Sequence, residues 1–138
     1  KLAWANVAAG ATATMGGLAD PAEDAAIAAR FGMPVERLAA FRARGGFQLV
    51  VVREGEPSGR GRDVVAFAAF APAYPGAATF CAERPELAGG LLEAMRPWAD
   101  PRYDFVRVSV EGDRPLAEAV LAMGAELTFE IWRLSSLL

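Results

Sequence analysis

The stretch Asp63 to Ala71, DVVAFAAFA, is apolar at every position after its first residue. A strand that is apolar on both faces belongs inside a sheet, and this one sets the frame for the rest of the chain. Phe47 to Arg53 (FQLVVVR) reads as its partner, joined to it by the polar, Gly/Pro/Ser-rich loop Glu54 to Arg62 (EGEPSGRGR), so the two predict an antiparallel hairpin. Arg60 and Arg62 in that loop read as solvated charges. Upstream, Asp20-Pro21 starts a helix that stops at Gly32, with Ala25, Ile27, Ala28 and Phe31 on its apolar face. A second helix runs from Pro34 through Phe41 and is closed by Gly45-Gly46, which makes an αα-hairpin.

Downstream of the hairpin, strands alternate with helices. Ala77 to Ala82 (AATFCA) is long enough for one short strand, and Pro85 opens a helix through Trp98 with Leu87, Leu91, Leu92, Met95 and Trp98 at core-facing intervals. Tyr103 to Val110 alternates as a strand with Val106, Val108 and Val110 on one face. Asp113 and Pro115 start a helix that runs to Met123 and ends at Gly124, and Glu126 to Leu134 is the last strand. Antiparallel pairing is expected in the first half, while the helical crossovers of the second half require parallel or split neighbours. Leu2 to Gly17 reads as an opening strand and loop rather than as a cleaved leader.

Composition narrows the chemistry. A chain of 138 residues has the length of one domain, residues 1-138, and buries roughly two thirds of its unfolded surface. With 54% hydrophobic and 22% charged residues, and no apolar run of about 18 residues, it reads as a soluble, cytoplasmic globule with no membrane partner. A net charge of -3 with scattered arginines argues against a nucleic-acid partner. The absence of histidine excludes Ser-His and Cys-His nucleophile pairs and HExxH zinc sites, and no metal site is expected. Cys81 is the single cysteine, so no internal disulfide forms; an isolated Cys in an apolar strand reads as core, and as a nucleophile only if its pKa is lowered. Trp4, Trp98, Trp132, Phe47, Phe80 and Phe129 read as core or as the lining of a ligand pocket, and Tyr74, flanked by prolines, as an exposed aromatic. An opening on Lys1 rather than Met leads us to expect an upstream segment or a second domain.

The element order from the αα-hairpin onward, and the segment VSVEGDRPLAEAVLAMGAELTFEIWRL in particular, resemble the GNAT superfamily of N-acetyltransferases. The resemblance implies an α/β (α+β mixed sheet) fold, a central mostly antiparallel sheet with a parallel splayed pair in the middle, flanked by about four helices. It implies acetyl-CoA as co-substrate, a small-molecule amine as acceptor, and transfer of an acyl group between them. Family members grip the cofactor's pyrophosphate with a Gln/Arg-x-x-Gly-x-Gly/Ala loop at a helix N-terminus. The matching stretch is ERPELAGG, residues 83-90, which assigns Phe80, Cys81, Ala82, Arg84, Gly89 and Gly90 to cofactor binding. It departs from the family pattern at Pro85, which has no amide donor, at Glu86, which adds a negative charge, and in the late placing of Gly89-Gly90. Gly89-Gly90 reads equally as a close helix-sheet packing point. Counted back from Gly124, Val120 stands where the family places a proton-donating Tyr, with Asp113 and Leu116 at the Asn and Ala positions and Ala125 at the Phe. Glu83 and Glu130 are the remaining candidates for the proton transfer. The alternative is a non-catalytic module of the same fold, used for assembly as a homodimer or beside a second GNAT-like domain, or for binding another small ligand.

Overall fold

The computed structural model describes residues 1–7, 15–54 and 63–126. The β-hairpin forms as expected: β3 is Gln48–Glu54 and β4 is Asp63–Ala71, antiparallel, with β4 buried from Val64 to Phe70. β5, Gly76–Ala82, lies antiparallel on the other side of β4. β6, Phe105–Val108, pairs parallel with β5. The sheet is completed by two short strands from the opening segment, β1 (Leu2–Ala3) against β6 and β2 (Met15–Leu18) against β3. The order is β1-β6-β5-β4-β3-β2, so the fold is the mixed α/β class expected, a mostly antiparallel sheet with one parallel pair in its interior.

The sequence reading of one opening strand is corrected to two, at opposite ends of this order. Two residues are too few to show a period of two, and Gly16 and Gly17 have no strand propensity of their own. Gly16 is needed for another reason. A Cβ placed on it would lie 2.5 Å from the Cβ of Ala94 in the long helix, so glycine lets that helix close onto β2.

Helices cover both faces. α1 (Asp24–Phe31) and α2 (Val35–Arg44) place Ile27, Ala28, Leu38 and Phe41 against Leu49, Val51, Phe67 and Ala69. α1 is entered through a capping box, in which the Asp20 carboxylate accepts from the Ala22 amide and Glu23 accepts from the Asp20 amide. It is closed by Gly32 in the left-handed region, φ 66°. The opposite face is covered by α3 (Ala88–Met95), which a 3-10 turn at Pro85–Leu87 precedes, and by α4 (Arg114–Ala122), whose first turn is capped by Asp113. Leu91, Leu92, Met95, Leu116 and Val120 pack there on Val50, Ala66, Ala68, Phe70 and Phe80. The Arg96 guanidinium ties the opening segment to α3 through the carbonyls of Trp4 and Val7.

Two expectations are revised. Trp98 does not face the core and is 39% exposed, because the α-helix gives way after Met95 to a 3-10 turn, Arg96–Trp98, which changes the angular step between residues. Gly89 is no packing point, since a Cβ added there meets nothing within 4 Å. The last expected strand, apart from Glu126, lies outside the described residues, as do Glu130, Phe129, Trp132 and the loop carrying Arg60 and Arg62. Glu126 exchanges backbone hydrogen bonds with Lys1, which puts the end of the described chain alongside β1.

The two glycines therefore respond oppositely to one added methyl. Gly16→Ala is expected to destabilise by about 1–3 kcal/mol through overpacking against Ala94. Gly89→Ala is expected to stabilise by up to about 0.5–1 kcal/mol by removing a helical glycine. Chemical denaturation of both variants checks the pair, and equal effects of either sign would contradict the packing described.

Candidate functional site

The parallel pair parts almost as soon as it forms. Among the described residues β5 and β6 are in register at Gly76–Arg107 and Ala77–Val108, with the Arg107 amide on the Pro75 carbonyl (2.7 Å) and the Ser109 amide on the Ala77 carbonyl (3.1 Å). Beyond Ala77 the register between β5 and β4 shifts: Phe70 faces Ala77 but Ala69 faces Thr79, which leaves Ala78 as an extra residue on β5. This is a β-bulge, and it reverses the parity of the strand. Ala77, Phe80 and Ala82 consequently all point to the α3 face, and Cys81 to the α1/α2 face.

The bulge also re-aims the backbone. The Glu83 amide donates to the Val65 carbonyl (2.9 Å), which makes Ala66–Ala82 a non-hydrogen-bonded antiparallel pair. Ala82, and Phe80 two residues before it, therefore turn their N–H and C=O groups away from β4, towards the side that β6 has left. The gap is a cleft of about 230 Å³ on the α1/α2 face. Phe31, Gly32, Met33 and Arg37 from the α1–α2 corner form one wall, Ala78 to Cys81 the floor, and Ser109 and Glu111 after β6 the other wall. That volume lies below the roughly 300 Å³ at which pockets begin to hold drug-sized ligands, so it suits a small molecule or the reacting end of a larger one.

The candidates named from the sequence distribute unevenly around this cleft. Phe80 and Cys81 line it, and Ala82 ends the strand beside it. Arg84 turns elsewhere. Its guanidinium donates to both carboxylate oxygens of Glu54, at 3.0 and 2.5 Å, and lies 3.4 Å from Glu86. The hydrogen bond from Arg84 lowers the pKa of Glu54, and the same bond raises that of Arg84. Gly89 and Gly90 sit in the first turn of α3, behind Pro85 and with no side-chain cap on that end. Glu83 is outside the cleft lining, in an ion pair with Arg30, which also approaches Asp63 at 3.6 Å.

Cys81 brings a thiol to the floor, and its surroundings suppress it. Burial, and secondarily the negative charge of Asp113, push its pKa up to about 12. Its Sγ lies 3.5 Å from the Phe67 carbonyl. The core reading of this residue fits and the nucleophile reading does not. Arg37, Thr79, Ser109 and Glu111 are the cleft residues that sequence reasoning missed. The visible signal for them was the α1–α2 turn for Arg37 and strand alternation for Ser109, but only the bulge and the splay bring them to one place. Among the described residues no group of three or more Cys, Asp or Glu side chains could hold a metal, and no helix is long and apolar enough to cross a membrane.

Comparisons with protein-family models, with curated proteins and with solved structures found no match.

The elevated pKa leaves about one Cys81 thiol in ten thousand ionised at pH 8. Alkylation by iodoacetamide at that pH is expected to be at least a hundredfold slower in the folded protein than in urea. Comparable rates would contradict the burial and charge environment assigned to it.

Proposed function

We propose that this chain is an acyl-CoA-dependent N-acyltransferase, with acetyl-CoA as the acyl donor and a small amine as acceptor. The observation that carries the reading is the parting of β5 and β6 at the Ala78 bulge, which turns the Phe80 and Ala82 backbone groups towards an open cleft. An amide held in place by the strand is suited to a developing oxyanion, because it needs no reorganisation as charge builds. The residues fit the two ends of such a donor unequally. The acyl end is provided for by the floor of the cleft. The phosphate end is not, since Arg84 is engaged by Glu54 and Pro85 offers no amide.

When bound, acetyl-CoA supplies an activated acyl group, and the chain's own task is to align it with an amine and accept a proton. Positioning of this kind removes a large part of the barrier in a bimolecular reaction such as acyl transfer. Glu111 lines the cleft and Glu83 does not, so Glu111 is the better-placed proton acceptor. The Thr79 and Ser109 side chains stand within the same lining and can orient the acceptor.

The engagement of Arg84 by two carboxylates and the inert Cys81 favour a second reading, a non-catalytic module whose cleft holds a different small ligand. One titration separates the two. Calorimetry with acetyl-CoA is expected to give micromolar binding, about -8 kcal/mol, abolished by Ala78→Leu, which fills the cleft from an exposed position, and tightened by Glu54→Gln, which frees Arg84. Absence of binding at millimolar acetyl-CoA would retire the acyltransferase reading in favour of the second.

A further inference from the structure

Four described arginines each hold a carboxylate: Arg30, Arg42, Arg53 and Arg84 pair with Glu83, Asp24, Glu23 and Glu54 respectively. Arg37 differs. It is exposed in the first turn of α2, it lines the cleft, and among the described residues its guanidinium has neither an ion pair nor a side-chain hydrogen bond. In a protein of net charge -3, where these four arginines are neutralised in pairs, a guanidinium left open beside a cavity marks the place where the complementary charge comes from the ligand.

The rest of the lining limits the ligand further. Phe31 and Met33 offer apolar contact beside Arg37, and Thr79 and Ser109 offer hydroxyl groups across from it. We infer that the acceptor taken by this cleft is a small amine that also carries an anionic group, a carboxylate or a phosphate monoester, held by Arg37. The amine part rests on the acyltransferase reading, whereas the anionic part rests on the cleft alone. The guanidinium presents paired donors that suit the planar carboxylate and the phosphate oxygens alike, so the source of the charge is left to the test.

The test is an amide-shift titration of the full chain by NMR with phenylalanine, with 2-phenylethylamine, which is the same framework without its carboxylate, and with O-phosphoethanolamine. Shifts at residues 31–33 and 78–81 are expected, with at least one anionic probe binding ten times or more tighter than 2-phenylethylamine; the tighter anionic probe identifies the charge. Arg37→Gln, an exposed substitution whose unfolding midpoint is expected to match the parent, removes that preference. Equal affinity for all three probes, no shifts with any of them, or a preference that survives Arg37→Gln would overturn the inference. Loss of acetyl-CoA binding in the calorimetric experiment while the anionic probes still bind would end the acyltransferase reading and leave the anion site standing.

Discussion

The hydrogen-bond ladder between β5 and β6 stops where the bulge at Ala78 begins, and the remaining features of the site follow from that interruption. Two parallel strands in the interior of a sheet normally pair along their length, since buried N–H and C=O groups left unmade are costly. Here an extra residue on one strand reverses its parity, sends Phe80 and Ala82 side chains into the α3 core and turns their backbone groups into the gap. The cost of those open groups is bearable because the rest of β5 is held by β4, itself buried on both faces. The cleft is therefore a property of the sheet, and the α1–α2 corner furnishes a wall for it.

Charge is organised around the same region. The β3–β4 hairpin is held where its strands meet at Glu54 and Asp63 by arginines from other elements, Arg84 on the former and Arg30 near the latter. These are pairs with substantial exposure, and each contributes little to stability on its own. Their larger effect is on recognition. They neutralise the two arginines at the end of β5, whereas Arg37, at the other side of the cleft, holds no carboxylate among the described residues.

Much of the fold was legible from local pattern. Asp63 to Ala71 declared itself by unbroken apolarity, Gly32 and Asp113 marked a helix end and a helix start, and Leu91, Leu92 and Met95 lie on the buried face that their spacing predicts. What escaped is long-range. The bulge leaves no compositional trace, because Ala78 is an ordinary strand residue made special only by its partners. The need for glycine at position 16 arises from Ala94, 78 positions later, and the engagement of Arg84 arises from Glu54 across the sheet. Arg84 reads as a phosphate ligand when only its neighbours in sequence are considered. It reads as part of an ion pair once the sheet brings Glu54 beside it.

The central claim is that no strand among the described residues covers β5 from Ala78 onward. Hydrogen exchange of its backbone amides, followed by NMR in the ligand-free protein, addresses it directly. The account predicts that the Thr79 and Cys81 amides, which face β4, exchange slowly, while those of Phe80 and Ala82, which face the cleft, exchange much faster. Equal protection of all four amides would mean that a strand covers this edge of β5, and would contradict the open cleft on which the functional reading rests.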